Sequence, residues 1–287
     1  MILVTGATGT IGGELTKLLA QQDIPFRAMV RNPEKARVLK TQHIETVVGD
    51  LQDPASLDRA FNGAGGIFLL SAADERQVKL QLNAVEALKR AGVGYVVKVS
   101  VIGAHGDAPI KLGRDHAAIE QALLDTGITS AFLRPHSFMQ NLLGSIELIA
   151  NKGEFYGATG TVKLPLIDAR DVAAAAAALL IKPCHESEGY VLTGPESISN
   201  EEVAEILGEV TGKSIRYVDI PPEQLKSGMV AAGMPEWLAA DLQTLHEMWL
   251  KGVGTEVTDA IPSITGRPGR TFRDFAQDYA AAFRGSA

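Results

Sequence analysis

The chain has 287 residues, 46% of them hydrophobic and 21% charged, which suits one large α/β unit or a core domain with a smaller companion and does not resemble a disordered chain. A formal charge of −7 without a basic patch speaks against a nucleic-acid partner, because phosphates would be repelled. The single cysteine, Cys184, can neither close an internal disulfide nor furnish a cysteine-rich metal site, so a reducing, cytoplasmic setting is expected.

At the amino end there is no basic leader before an apolar run, so no export signal is expected. The apolar run at 2–5 stops at Gly6-Ala7-Thr8-Gly9-Thr10-Ile11-Gly12, and 14–22 carries helix formers with Leu15, Leu18 and Leu19 on one face. The spacing predicts strand, tight glycine turn and helix. A second strand over 26–30 ends at Arg31-Asn32-Pro33, a short helix follows over 34–39, and a third strand over 44–48 stops at Gly49-Asp50. Asp53 before Pro54 reads as a helix cap and a first-turn proline, predicting a helix over 54–61. An apolar strand over 67–70 precedes a helix over 77–91, where Val78, Leu82, Val85 and Leu88 recur at helical spacing and Gly92 closes the end.

The fifth strand is predicted over 95–99, a polar loop over 101–113, a helix over 114–126 and a sixth strand over 130–133. Strands apolar on both faces, alternating with helices, describe a parallel sheet covered on two sides. Past residue 140 the pattern is helix over 142–150, extended over 162–167, helix over 170–181 and extended over 190–193. The apolar stretch 172–181 is too short to cross a bilayer, so no membrane association is expected. Ser199 with Glu202 forms a capping box for a helix reaching about Val210; a strand over 215–218 and helices over 222–232, 236–249 and 272–283 complete the chain. The expected fold is α/β: a Rossmann-like doubly wound parallel sheet over 1–140, with 160–181 and 190–194 allowed to return to it. A smaller, mostly helical lobe, 141–287, is expected over the carboxyl edge of the sheet as the main substrate-binding part.

Gly6, Gly9 and Gly12 carry the strongest local signal. Alone, three glycines so spaced are also ordinary turn chemistry. Between a strand and a helix they suit a pyrophosphate, because glycine lets the backbone approach and the helix end is positive. Arg31 follows Gly12 by nineteen residues, where a site for NAD(H) would place a carboxylate; with Lys35 and Arg37 nearby, a guanidinium suits a ribose 2′-phosphate. NADP(H) is therefore preferred, with NAD(H) as the alternative carrier and a plain solvated basic end as the competing explanation. Asp50 follows the third strand, where a side chain can reach the adenine edge. Leu70, Ser71 and Ser100 close the fourth and fifth strands on the side of the ribose and nicotinamide, although each also suits a simple turn or helix start.

None of the five tyrosines has a lysine four residues later, so the tyrosine-lysine acid pair of many short-chain dehydrogenases is absent. His116 and Glu120 share one helix face instead, fit either for relaying a proton or for holding the helix in place. Pro135 enforces an extended exit from the sixth strand; Phe138 and Met139 then suit an apolar cavity or the core between lobes, and Gln140 and Asn141 suit polar orientation. Trp237, His246 and Trp249 suit either the roof of a cleft or packing within the helical lobe. Glu147, Asp168, Asp171 and His185 show no metal-ligand spacing.

Together VTGATGTIGG, AMVRNPEKA, VVGDLQDPASLDRAF, VVKVSVIGA, HAAIE, FLRPHSFMQNL, DARDVAAAA and TGRPGRTFRDFA resemble the NmrA-like group of atypical short-chain dehydrogenase/reductase proteins over nearly the whole chain. The resemblance implies cofactor contacts at Gly6, Thr8, Gly9, Thr10, Ile11, Gly12, Arg31 and Lys35, and at the strand ends Asp50, Leu51, Leu70, Ser71, Ser100 and Pro135. It matches the group's histidine and glutamate to His116 and Glu120, the candidate catalytic pair, and leaves Phe138, Met139 and Asn141 as candidate substrate contacts. The expected activity is NADPH-dependent hydride transfer to a quinone or a conjugated aromatic acceptor such as an azo or triphenylmethane dye, without metal or flavin, by a monomer or homodimer. The alternative is a non-enzymatic NADP(H)-binding sensor acting on a protein partner.

Overall fold

β1 (Ile2–Val4) pairs in parallel with β2 (Phe26–Val30) on one side and β4 (Gly66–Leu69) on the other, and β3 (Glu45–Val48) extends the first side. Beyond β4 lie β5 (Tyr95–Val99) and β6 (Thr129–Pro135); β7 (Glu154–Gly157) leaves the sheet, and β8 (Glu188–Leu192) returns to its edge. The order is β3-β2-β1-β4-β5-β6-β8, all parallel, so the chain reverses its direction of winding between β1 and β4. Ligands of such sheets gather at that reversal, outside the carboxyl ends of the strands. This computed structural model describes residues 1–32, 34 and 44–285.

Two apolar layers explain why the strands carry so little polarity. On one face, Leu15 and Leu19 of α1 (Thr10–Gln21) pack with Val172, Ala173 and Ala176 of α6 (Ala169–Ile181). The alanine run in α6 is buried because a methyl is all that fits where two helices and the sheet meet. On the other face, Leu57 and Phe61 of α2 (Pro54–Phe61), Leu88 of α3 (Gln77–Ala91), and Ile119 and Leu123 of α4 (Lys111–Leu124) close the core. Each such large side chain contributes about 1.5–3 kcal/mol by leaving water.

The second lobe has its own core. Ile149 of α5 (Ile146–Lys152), Phe155 of β7, and Val203 and Leu207 of α7 (Asn200–Thr211) meet Phe272, Phe275 and Phe283 near the carboxyl end. β7 pairs in parallel with β9 (Arg216–Asp219) as a separate two-stranded sheet. Two helices, α8 (Pro222–Ala231) and α9 (Glu236–Leu250), follow, then α10 (Ala260–Thr265), α11 (Phe272–Asp278) and α12 (Ala280–Arg284).

Several expectations need correction. Segment 162–167 is not a strand: it makes only isolated bridges, Phe138 to Ile167 and Leu164 to Ile198, as it crosses between lobes. β7 went unread because its four residues show no long periodicity, and α10 because it is six residues long. The helix expected over 142–150 begins as a 3₁₀ helix, Met139–Ser145, before α5. The helix expected over 272–283 breaks at Tyr279, which lets Phe275 and Phe283 enter one core with ring centroids 6.2 Å apart. α4 starts at Lys111, one turn earlier than expected. The short helix expected over 34–39 lies mostly outside the described residues.

Candidate active site

Gly6 has φ +63°, a conformation that only glycine adopts without strain, and a Cβ on it would stand 3.2 Å from the Leu70 carbonyl oxygen. Gly12 is tighter: its added Cβ would lie 2.2 Å from the Gly6 carbonyl oxygen. The first turn of α1 is thereby drawn onto the loop that leaves β1. Thr5 locks that loop to the neighbouring strand, its Oγ1 accepting from the Leu70 amide at 2.8 Å and donating to the Leu70 carbonyl at 2.9 Å. α1 has Gly9 at its N-cap, no side-chain cap and no acidic residue in its first turn, so its positive end is left uncompensated by the protein.

That end opens into a cleft of about 520 Å³. The turn residues Gly6, Thr8, Gly9, Thr10 and Ile11 line one wall; Arg31, Asp50 and Leu51 stand at the ends of β2 and β3; Leu70 and Ser71 follow β4; Phe138 and Asn141 follow β6. Arg31 is exposed and makes no ion pair among the described residues. The residues fit a dinucleotide with an added phosphate: glycine-lined backbone and a bare helix end for the pyrophosphate, and a guanidinium at the β2 end for a further anion. Lys35, the second cation expected there, lies outside the described residues.

Six expected residues do not line this cleft. Gly12 lies beneath the turn, shaping it without facing the opening. Pro135 is buried at the end of β6, paired with Leu192. Met139 belongs to the second-lobe core with Ile149 and Phe272, its unbranched chain filling space between lobes. Ser100 is buried and turns its hydroxyl to Glu120 at 2.5 Å.

His116 and Glu120 are also buried, and they do not serve each other. Glu120 is held by Arg134, through Nε at 3.1 Å and through a short ion pair from Nη2, and this pairing raises the Arg134 pKa. His116 instead meets Lys98 Nζ at Nδ1, 2.7 Å away, and Gln77 Nε2 at Nε2, 2.9 Å away. Gln77 Oε1 has no partner; turning that carboxamide over lets His116 donate from Nε2 to the oxygen while accepting at Nδ1 from Lys98. Burial first, and then Lys98, drive His116 far below its ordinary 6.5, so the ring is neutral. Burial lowers Lys98 to about 7, against the attraction of Glu120 and with the repulsion of Arg134.

This polar layer touches the cleft through α3. Gln81, four residues after Gln77 and fully buried, donates to Ser71 Oγ at 2.9 Å, which fixes a residue of the cleft wall. Gln140 is a second such residue. Its Oε1 accepts from the Ala169 amide at 2.9 Å and its Nε2 donates to Asp168 Oδ1 at 2.9 Å, so the amino end of α6 sets its amide plane. Asp168 is fully buried; burial works to raise its pKa, but the Arg170 and Gln140 hydrogen bonds hold it below the ordinary value. Lys98 went unread in the sequence, where its one signal is a cation inside the valine run of β5.

Across the carboxyl edge, His136 stacks on Trp249 with centroids 5.6 Å apart, and His246 meets the same indole edge-on at 4.8 Å. Burial lowers His136 to about 4, with the Gly254 backbone opposing. Among the described residues no group of three or more His, Cys, Asp or Glu side chains could hold a metal ion. No helix there is long and apolar enough to cross a membrane.

The NmrA-like family matches residues 1–259. An NAD(P)H azoreductase of Xenophilus azovorans is 42% identical over 283 residues, covering 99% of each chain. A (4-alkanoyl-5-oxo-2,5-dihydrofuran-3-yl)methyl phosphate reductase of Streptomyces griseus is 34% identical over 288 residues, again covering 99% of each. Among solved structures, the NADPH complex of an NADPH-dependent quinone oxidoreductase of Escherichia coli superposes with a TM-score of 0.87 at 29% identity, covering 97% of this chain and 99% of that one.

Proposed function

This chain belongs to the NmrA-like family, and from that membership together with the cleft we infer that it is a reductase passing hydride from NADPH to a planar conjugated acceptor. At the coarser level it is an NAD(P)H-dependent oxidoreductase of the quinone and aromatic-acceptor type. The observation that carries the finer reading is one continuous cleft, with Arg31 at one end and Phe138 and Asn141 at the other. The named relatives act on an azo compound, a dihydrofuranone phosphate and a quinone; a conjugated system able to accept hydride is common to all three.

NADPH, when bound, supplies the hydride, and a quinone takes that hydride and one proton from water to give the hydroquinone. The α1 end and the glycine backbone would hold the pyrophosphate, and Arg31 the 2′-phosphate. Ser71, fixed by Gln81, and Gln140, fixed by Asp168 and Ala169, would orient the cofactor's far end. Phe138 and Asn141 would face the acceptor. With no tyrosine-lysine acid pair, the protein's contribution is alignment of donor and acceptor in the cleft. A quinone suits this, because its developing oxyanion is delocalised and bulk water can protonate it. In this reading His116 and Glu120 are positioning residues that fix α4 behind the cleft.

The test is oxidation of NADPH and NADH by the purified protein against quinones, azo dyes and triphenylmethane dyes. The expected result is turnover with at least one acceptor class and a higher kcat/KM for NADPH. Tight NADPH binding with no oxidation by any acceptor would favour the sensor reading instead.

A further inference from the structure

The two ends of the Gln140 carboxamide are told apart by what they meet. The Ala169 amide, the first of α6, can only donate, and at 2.9 Å it faces Oε1. Asp168 Oδ1, 2.9 Å from Nε2, can only accept: burial works to raise this carboxyl, but hydrogen bonds from Arg170 and Gln140 hold it below the ordinary value, so it is ionised. Turning the carboxamide over would set donor against donor and carboxylate against carbonyl oxygen. Asn141, next to it, has no such constraint. It is exposed, and among the described residues its Nδ2 meets only the Ser137 hydroxyl, at 3.2 Å, a group able to donate or accept.

Asp168 is held as firmly as Gln140. It is the N-cap of α6, fully buried, with Oδ1 accepting from the Arg170 amide at 2.8 Å. The Arg170 guanidinium reaches both carboxylate oxygens, through Nε at 3.0 and 3.1 Å and through Nη2 at 2.6 Å. Its other arm, Nη1, pairs with Asp278 at the end of α11, and the guanidinium carbon lies 5.9 Å from the centre of the Tyr279 ring. A chain of charge-assisted bonds therefore runs from the second lobe to the cleft wall, through Asp278, Arg170, Asp168 and Gln140. Asp168 does not itself line the cleft and both its oxygens are occupied, so it acts on a ligand only through Gln140.

A carboxamide nitrogen carries two hydrogens. Asp168 takes one from Gln140 Nε2; among the described residues the other has no partner. Gln140 is half-buried in the cleft wall, with Phe138, Asn141 and Ala169. This end of the cleft therefore carries one donor whose polarity cannot reverse. Such a donor favours a ligand with a carbonyl oxygen over one without.

We propose that Gln140 gives its free Nε2 hydrogen, as a hydrogen bond, to a carbonyl oxygen of the ligand at the Phe138 end of the cleft, and that Asp168 is the positioning residue that keeps the nitrogen available there. The proposal deepens the reductase reading, on which it rests. A quinone and the nicotinamide carboxamide both carry such an oxygen, whereas the central carbon of a triphenylmethane dye bears none. No proton is transferred in this contact; the one that completes the hydroquinone still comes from water.

The test compares Gln140→Met, which removes the donor at similar length, with Asp168→Asn. Equilibrium binding is measured for NADP+ and for 2′-phospho-ADP-ribose, which lacks the nicotinamide, and kcat and KM are measured with NADPH against a naphthoquinone and a triphenylmethane dye. Two results for Gln140→Met support the proposal and tell the two oxygens apart. NADP+ weakened about fivefold or more, with 2′-phospho-ADP-ribose within about twofold, assigns the oxygen to the nicotinamide. Quinone kcat/KM lowered about tenfold or more, with the dye and both binding constants within about twofold, assigns it to the acceptor. Asp168→Asn should move the same constant in the same direction by about threefold or more; if it does not fold, Asp278→Asn, at the exposed end of the chain, should move it by about twofold. Every constant unmoved in Gln140→Met, or all of them falling together, overturns the proposal, as does an unmoved constant in whichever aspartate variant folds. No NADPH oxidation by the unaltered protein with any acceptor overturns the reductase reading alone, and the two binding constants then decide the proposal.

Discussion

Lys98 Nζ stands 2.7 Å from His116 Nδ1, and both groups are buried behind the cleft wall. The imidazole therefore meets a permanent protein partner at the nitrogen that faces β5 and the Gln77 carboxamide at the other. Neither ring nitrogen is open toward the cleft. The pair reads as part of the support for α4.

His116→Ala is accordingly expected to lower stability by about 1–3 kcal/mol, because it removes one buried partner of Lys98, leaving it the Val99 carbonyl, and strands the Gln77 carboxamide inside the protein. The shape of the pH profile of kcat/KM should be unchanged. Urea unfolding and steady-state rates measure the two effects. Loss of one limb of the profile in a well-folded variant would put the imidazole in proton delivery after all.

A second expectation concerns alkaline stability. Lys98 is lowered by burial from 10.5 to about 7. Between those values the unfolded chain holds a proton that the folded chain has lost, so stability rises with pH through this window. The slope from this one group is at most about 1.4 kcal/mol per pH unit. Below about 7 the full cost of the buried ammonium is present. Lys98→Met should flatten the rise between neutral pH and about pH 9, below the range where the raised tyrosines Tyr95 and Tyr190 titrate. An unaltered slope in urea melts would show that the lysine is not the group responsible.

Arg31→Ala tests cofactor choice. Losing charge-assisted hydrogen bonds to a 2′-phosphate costs about 1.5–3 kcal/mol, which weakens NADPH roughly 10- to 150-fold. NADH, which lacks that phosphate, should bind as before. Titration by nicotinamide fluorescence gives both constants, and equal weakening of the two cofactors would remove Arg31 from phosphate recognition.

Two adjacent glycines make a contrasting pair. An added Cβ at Gly12 would lie 2.2 Å from the Gly6 carbonyl oxygen, whereas at Gly13 the nearest atom is 3.8 Å away. Gly12→Ala should therefore distort the turn, costing about 1–3 kcal/mol and most of the NADPH affinity. Gly13→Ala, inside α1, should be neutral or stabilising by up to about 1 kcal/mol through helix propensity. Thermal melts with and without NADPH separate the two; similar behaviour would mean that the close approach at Gly12 is not what shapes the site.

Much of the fold was legible because its signals are local. The strands over 26–30 and 95–99, the Asp53 cap and Pro54 start of α2, and the Ser199–Glu202 capping box each depend on residues within a turn or two of one another. The glycine turn is of the same kind: Gly6 and Gly12 are six residues apart, and their spacing already demands the bend that exposes the α1 end. Family resemblance then carried the acceptor class, which no local pattern contains. The limits were reached where short segments acquire structure only from a partner, as with β7, whose four residues become a strand by pairing with β9.

By itself, then, the sequence determined an alternating sheet with a glycine bend ahead of its first helix and a cation nineteen residues further on, since backbone sterics and side-chain period act over a few residues. Only the tertiary structure decided that His116 answers to Lys98 across 18 residues, that Gln140 is set by Asp168 across 28, and that Asp241 closes the end of α4 across 130. Hydrogen bonds and ion pairs need approach within a few ångströms, and for residues so far apart along the chain that approach is settled by how the helices and sheet pack.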